Sequence, residues 1–352
     1  MYDFYLKIFK YLSLPKLIGV ITWPVIPFAA IAALMIVLVL FLVLLERKFL
    51  ALLTIRKGPN RVGPNGLFQT VADAIKLLFK EDIIPANANK ILFTIAPVVF
   101  FFPAMVVYGL IPFAHNWVAI NASCGLLLML AISAISILGL LSAGWASNNK
   151  YSMLGAMRAV SQAISYELPL VLSALSVVVL SGTMNLNKIA FGQGNIFGWY
   201  IFPSFFGFVI FLICTLAELN RVPFDLPEAE SELVSGYNTE YSGMKFALFF
   251  LAEYAALFVY SALIVTLFLG GYSSPFGGYI LGLIPYIKKV VFLEQAFWLM
   301  SKTFAIILLI MWIRATLPRL RADQLMSFSW KFLLPLSFLN LLFVALFKYF
   351  IG

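Results

Sequence analysis

Long apolar runs alternate with short polar breaks along the chain. Eight runs approach the roughly 20 residues that a helix needs to cross the hydrocarbon core of a bilayer. They are 24–45, 91–112, 122–143, 161–181, 202–219, 246–269, 291–313 and 331–350. The fourth is interrupted by Glu167 and Pro169 and the seventh carries Lys302, so these two are the weakest. The stretch before Trp23 is partly apolar and either lies on the membrane surface or adds a ninth crossing. The chain shows neither an internal repeat nor a long polar linker. The pattern predicts an all-α polytopic integral membrane protein of about eight transmembrane helices, with residues 1–352 forming a single membrane domain.

One segment keeps a different period. In GLFQTVADAIKLLFKED, after the first run, Leu67, Val71, Ile75, Leu78 and Phe79 recur at helical spacing, while Gln69, Asp73, Lys76 and Lys80 take the other face. This predicts an amphipathic helix that lies in the membrane interface or packs on a soluble partner; periodicity alone does not separate the two. The preceding RKGPNRVGPNG interleaves Gly and Pro with Arg and Lys, so it makes turns. Its cations suit lipid headgroups, an acidic partner or a polar substrate head.

Composition supports the membrane reading. The chain is 63% hydrophobic and 11% charged, against roughly 25% charged in soluble domains. A net charge of +9 would suggest nucleic acid for a soluble protein. Here the cations fall mostly in loops, which points to membrane orientation instead and to no nucleic-acid partner. With eight spans, the four loops on one side hold sixteen cations, against seven on the other side with its tails. The positive-inside rule places the richer loops in the cytoplasm, or its organellar equivalent, and both termini outside. Lys7, Lys10 and Lys16 run against that bias. The start MYDFYLKIFKYLSLPK has no short apolar core followed by a small-residue cleavage site, so no cleaved signal peptide is expected.

The candidate chemistry lies in charged residues near or within the spans. Two cysteines, Cys124 and Cys214, and one histidine, His115, are too few for an iron–sulfur cluster and offer little for haem. No metal cofactor is expected, and electrons for any redox step must come from another subunit. Motifs for hydrolysis of ATP, esters or peptides are missing. Glu46, Arg47 and Lys48 close the first run. The two cations suit snorkelling to water, while Glu46 lies further towards the apolar side. Glu167 sits about two turns into the fourth run. A kink at Pro169 would let water or another polar group reach its carboxylate. Arg158, nine residues earlier, is about 13 Å away along a helix and out of direct reach. Glu253 sits about two turns into the sixth run.

Between the fifth and sixth runs, Glu218 to Glu240 holds six of the fifteen carboxylates: Glu218, Asp225, Glu228, Glu230, Glu232 and Glu240. Pro223 and Pro227 preclude a regular helix across it. Glu228, Glu230 and Glu232 share a face if extended, and Glu228 and Glu232 share one if helical. Crowded, partly buried carboxylates have raised pKa values and coupled titrations. The expectation is therefore a cluster that holds a shared proton, as part of a proton or ion path. The plainer alternative is a solvated acidic loop that binds a basic partner.

Three long stretches carry a family resemblance: ERKFLALLTIRKGPNRVGPNGLFQTVADAIKLLFKED, GWASNNKYSMLGAMRAVSQAISYELP and LAELNRVPFDLPEAESELVSGYNTEYSG. With WIRATLPRLRADQLM they resemble, in order and over nearly the whole chain, the H subunit of NADH–quinone oxidoreductase, respiratory complex I. Ala229 departs from the Gly that most members carry between the two glutamates, as in the plastid-type relatives, which leaves the electron donor open.

The resemblance implies a subunit of a proton-translocating oxidoreductase in the bacterial inner membrane or an organellar membrane. It carries no redox centre, metal or flavin of its own, and quinone is its substrate. It implies membrane lipid, adjacent small membrane subunits and peripheral-arm subunits carrying the terminal iron–sulfur cluster as partners. It places Glu46, Arg47, Arg56, Asp73, Phe246 and Phe250 at or near a quinone path. It places Glu167, Glu218, Arg221, Asp225, Glu228, Glu230, Glu232, Glu240 and Glu253 along a proton or coupling path. The alternatives are the membrane anchor of a related energy-converting hydrogenase or ferredoxin-dependent complex, which the intact RKGPNRVGPNG and its helix disfavour, and a stand-alone transporter, whose repeated halves are missing.

Overall fold

The computed structural model describes residues 16–115, 117–227, 230–276, 278 and 291–351. The described residues form helices and turns, with one isolated bridge between Ala114 and Trp117. The helices are α1 (Lys16–Leu53), α2 (Gln69–Phe79), α3 (Lys90–Tyr108), α4 (Gly125–Ala146), α5 (Lys150–Ser181), α6 (Leu186–Phe191), α7 (Phe205–Glu218), α8 (Glu230–Leu233), α9 (Gly243–Phe268), α10 (Val291–Thr316), α11 (Ala322–Phe328) and α12 (Leu334–Ile351). Seven helices are long and apolar enough to cross a membrane, the last of them running through α11 and α12. The fifth expected span is shorter. Pro203 precedes α7 and left-handed Asn220 follows it, leaving 14 residues, or about 21 Å of helix against a core of about 30 Å. The proposed ninth crossing before Trp23 lies largely outside the described residues.

α9 is the centre of the bundle, packed by α1, α3, α7 and α10. From Ala255 to Phe268 nearly every residue is buried. Two aromatic contacts fix its flanks: Tyr108 on Phe258 at 5.2 Å, and Phe211 on Phe268 at 5.8 Å. At the periphery, Phe338, Leu339, Leu342, Phe343 and Leu346 of α12 are exposed, as lipid-facing side chains are. Lipid tails are as apolar as these side chains, so packing and interhelical hydrogen bonds must hold such a bundle together.

The polar connections sort onto two ends. At one end the four cation-rich loops touch one another. Asn89 N–H donates to Ala146 O at 3.1 Å, Asn149 Nδ2 to Glu240 at 2.7 Å, Ser242 Oγ to Glu81 O at 3.2 Å and Leu320 N–H to Pro223 O at 3.1 Å. At the other end Asn187 Nδ2 donates to His115 O at 2.9 Å, Asn187 Oδ1 accepts from Tyr272 Oη at 3.0 Å, and Lys348 donates to Val179 O at 2.6 Å. This grouping is the one that successive crossings require when short α7 counts as one of them. In a Cys124→Ser background, because Cys124 is exposed, Asn60→Cys is expected to label from the cytoplasmic side and Asn195→Cys from outside. Labelling of both from one side would contradict this topology.

The two spans weakened by polar residues are continuous helices. Pro169 has no N–H, so the carbonyl of Ser165, four residues back, loses its helical donor. Ser329 Oγ fills that gap at 2.5 Å, and Trp330 Nε1 donates to Ser165 Oγ at 3.2 Å. The polar group admitted at Pro169 therefore serves the freed carbonyl and not the Glu167 carboxylate. Ser329–Leu333 is itself one π-helical turn, in which Leu334 N–H bonds to Ser329 O. Pro335 cannot bond to the turn before it, and the widened register accommodates this. Lys302 is satisfied locally: its ammonium donates to the carbonyls of Leu269, Gly271 and Ser273 at 2.8, 3.2 and 2.7 Å, just beyond the end of α9.

α2 lies across the cation-rich end. Val71, Ile75, Leu78 and Phe79 are exposed on it, leaving an apolar stripe with no partner among the described residues. Ser242 accepts from Ile83 N–H at 3.1 Å, and Lys245 pairs with Asp82 at 2.9 Å. These contacts strap its C-terminal loop to the start of α9.

Candidate functional site

The first element of the site is a buried ion cluster. Consecutive residues of a helix point about 100° apart, so Glu46 turns into the bundle while Arg47 turns to the surface. Glu46 is 2% exposed. Its Oε1 accepts from Arg221 at 2.7 Å and also pairs with Arg314. Its Oε2 has no hydrogen-bond partner among the described residues. One carboxylate faces two guanidiniums, leaving an excess positive charge. Arg221 spreads part of that charge over the Tyr254 ring, 4.7 Å from its centroid, as a cation–π contact does.

An aromatic ladder leads to this cluster. Phe246, Phe250 and Tyr254 recur every four residues and so share one face of α9. Phe246 and Phe250 lie 6.3 Å apart and nearly parallel, and Phe250 and Tyr254 lie 4.8 Å apart. Flat apolar rings that end on a charged cluster form a surface for a flat, amphipathic ring system.

Arg47 belongs to a second, shallower cluster. It donates to Asp73 of α2 at 2.6 Å, and Lys76 stands 3.7 Å from the other carboxylate oxygen. Partial burial works to raise the Asp73 pKa, but Arg47 and then Lys76 outweigh it, so the carboxyl titrates below the usual range. A lowered carboxylate pKa contributes stability above its unfolded value, which is lost as pH falls through the folded value. Arg47 is 42% exposed, so the pair contributes no more than about 0.5 kcal/mol. The expected result is a small loss of hydrogen-exchange protection in α2 on acidification from neutral pH to below the carboxylate range. Unchanged protection would contradict the pairing.

Beside it, Lys48, Leu52, Arg56, Lys57, Pro59, Asn60 and Asn65 line an open bay of about 380 Å³. Lys48 closes its rim by donating to Asn65 O at 2.6 Å. Gly66, at φ +75, is required here, because a Cβ would stand 2.1 Å from Pro59 O.

The acids separate into two groups. Glu218, Asn220 and Glu253 line an internal cavity of about 50 Å³ with Ser133, Ser136 and Tyr260. A second chamber of about 10 Å³ adjoins it, lined by Glu167, Glu218, Ser133 and Tyr260. Glu253 accepts from Tyr237 Oη at 2.7 Å. Glu253, Glu218 and Glu167 therefore follow one another along two adjoining cavities between α3, α4, α5, α7 and α9. Gln162, 1% exposed, fixes the end of α7 by donating to Ala217 O at 2.7 Å and Phe224 O at 2.9 Å.

The loop acids lie elsewhere. Glu232 is exposed and takes Arg158 at 2.6 Å. Arg158's hydrogen bond and charge lower its pKa. Glu240 accepts from Asn149, and Arg319 donates to the Asp225 backbone carbonyl. The expectation of a raised, shared proton is thus corrected at Glu232, because a guanidinium neutralises it. Glu228 and the side chain of Glu230 lie outside the described residues. The loop packs closely on α5 at Gly155, where a Cβ would meet Gly236 Cα at 2.8 Å and Pro227 O at 2.9 Å.

Residues 26–345 match the family model of NADH dehydrogenase. The chain belongs to that family. The H subunit of NADH-quinone oxidoreductase from Brevibacillus brevis is 47% identical over 327 residues, covering 93% of this chain and 94% of the relative. The H subunit from Bacillus cytotoxicus is 50% identical over 307 residues, 87% of this chain and 88% of the relative. That from Dehalococcoides mccartyi strain CBDB1 is 48% identical over 310 residues, 88% and 82% respectively. With seven described helices long and apolar enough to cross a membrane, this member of the NADH dehydrogenase family is a multi-pass membrane protein, and each of the three relatives is named as one subunit of an oxidoreductase.

The fold of this family member joins residues that sequence reasoning assigned to separate paths. Glu46 and Arg221 share a hydrogen bond, while the chain neighbour Arg47 pairs with Asp73 instead. Arg56 sits in the basic bay. Tyr254, Arg314, Gln162 and Tyr260 were missed. Tyr254 continues the four-residue spacing of Phe246 and Phe250, a legible signal. Arg314 was counted only as a loop cation. Gln162 and Tyr260 carry no sequence signal.

Proposed function

We propose that the chain forms much of the quinone-binding tunnel of a proton-pumping NADH–quinone oxidoreductase and links quinone reduction to proton translocation through its acids. The observation that carries this reading is that α9 bears both halves of the device. One side presents the ladder Phe246, Phe250 and Tyr254, which ends on the Glu46–Arg221–Arg314 cluster. The other presents Glu253 and Tyr260 to the cavity shared with Glu218. Quinone is the substrate. Electrons come from the iron–sulfur cluster of a peripheral-arm subunit, and two electrons with two protons convert quinone to quinol. Taking up negative charge beside a cationic cluster changes the field on the acids of the adjoining cavity, which alters their proton affinity. Adjacent small membrane subunits receive the protons. The apolar stripe of α2 and the basic bay suit the peripheral arm and anionic lipid at the cytoplasmic face of a bacterial inner membrane.

The test is kinetic. In assembled complex, Phe250→Ala is expected to raise the apparent KM for quinone several-fold, while electron transfer to a hydrophilic acceptor is retained. Lost uniform binding appears in KM, whereas lost headgroup positioning appears in turnover. Unchanged quinone kinetics would remove the ladder from the substrate path.

A further inference from the structure

The two adjoining chambers differ in what they have room for. A cavity needs roughly 10–15 Å³ to hold one water. The larger chamber, about 50 Å³, takes a short file of waters, so proton exchange between Glu253 and Glu218 needs nothing more than solvent. The smaller, about 10 Å³, is at the limit for a single molecule. It is the chamber that reaches Glu167. For a proton passing from Glu218 to Glu167 the smaller chamber therefore favours a group supplied by the protein over a file of waters.

Three residues line both chambers: Glu218, Ser133 and Tyr260. Ser133 is a poor carrier, because its hydroxyl proton is committed to Leu130 O at 2.8 Å. Ser136, on the larger chamber, is committed likewise to Ser133 O at 2.7 Å. Tyr260 is different. It lines the larger chamber beside Glu218 and Glu253 and the smaller one beside Glu218 and Glu167. A hydroxyl turns about its C–O bond and both donates and accepts. That turn needs no movement of the ring, which is 8% exposed and held in the packing of α9.

We propose that Tyr260 is the proton-passing residue between Glu218 and Glu167, a role that rests on the reading of these acids as a proton path. The step is a concerted transfer. The Glu218 carboxyl gives its proton to Tyr260 Oη as Tyr260 gives its own proton to the Glu167 carboxylate. Glu218 ends ionised, Glu167 ends protonated, and Tyr260 is a neutral phenol before and after. A turn of the hydroxyl resets it. The facing titratable groups are Glu167 on α5, Glu218 on α7 and Glu253 on α9 itself.

The experiment compares Tyr260→Phe with Glu218→Gln in the assembled, reconstituted complex. Tyr260→Phe keeps the ring and removes only the relay. Quinone-linked proton translocation is expected to fall at least tenfold, with reduction of a hydrophilic acceptor retained. If Glu218→Gln stops pumping but Tyr260→Phe pumps as wild type, the relay is overturned and the acid path stands. If Glu218→Gln itself pumps as wild type, the acid path falls and the relay with it. Should Tyr260→Phe fail to assemble, 3-fluorotyrosine at position 260 keeps ring and hydroxyl while making the hydroxyl more acidic. A changed solvent deuterium isotope effect on coupled turnover supports the relay, and an unchanged one overturns it.

Discussion

Glu46→Ala is expected to be the most destabilising single change at the site. It removes the one carboxylate shared by Arg221 and Arg314 and leaves the buried guanidinium of Arg221 and the partly exposed one of Arg314 without it. Breaking a buried pair by deleting one partner costs about 3–5 kcal/mol, because the surviving charge keeps its desolvation penalty. Here two charges survive. Thermal unfolding of the purified complex should show the loss, and quinone reduction should fall with it. Glu46→Gln retains an oxygen that accepts from Arg221 and should lie between the wild type and Glu46→Ala. Arg314→Leu added to Glu46→Ala removes half of the leftover repulsion and should recover part of the stability. A Glu46→Ala complex as stable as the wild type would show that the cluster is solvated and not structural.

Glu218→Gln is expected to have the largest effect on activity with the least on structure. The amide is nearly isosteric and keeps much of the hydrogen bonding, but it cannot ionise. Glu218 is the one acid that lines both chambers, so no neighbour bypasses it. Proton translocation linked to quinone should fall at least tenfold, on the order of 1.4 kcal/mol or more in barrier. Electron input at the peripheral arm should persist. Glu232→Gln should have a much smaller effect, because Arg158 already holds that exposed carboxylate ionised. Equal losses in the two variants would dissolve the distinction between cavity acids and loop acids.

The sequence showed the bundle well and the site only in pieces. Crossing a bilayer requires an apolar run of fixed length, so the spans were legible, and only α7 came out short between Pro203 and Asn220. Pro223 and Pro227 marked an irregular loop, and the α2 period marked a surface helix. What one-dimensional spacing does not contain is direction across the bundle. Glu46 and Arg47 are neighbours, yet a 100° turn sends them to different partners. Glu232 looked crowded by like charge, but its neutralising Arg158 comes 74 residues earlier in the chain. The carbonyl freed by Pro169 is met by Ser329, 164 residues from Ser165. Tyr260 and Gln162 lie in runs where nothing distinguishes them until the helices pack.

The central claim is that reducing quinone at the ladder changes the protonation of acids in the cavity. The direct measurement is an infrared difference spectrum of the assembled complex before and after quinone reduction, in the carboxylic-acid stretching region. A carboxyl signal is expected in the wild type, with components removed separately by Glu218→Gln and by Glu167→Gln. A carboxyl spectrum identical in the wild type and both variants would contradict the account, since the acids would then keep their protons while quinone is reduced.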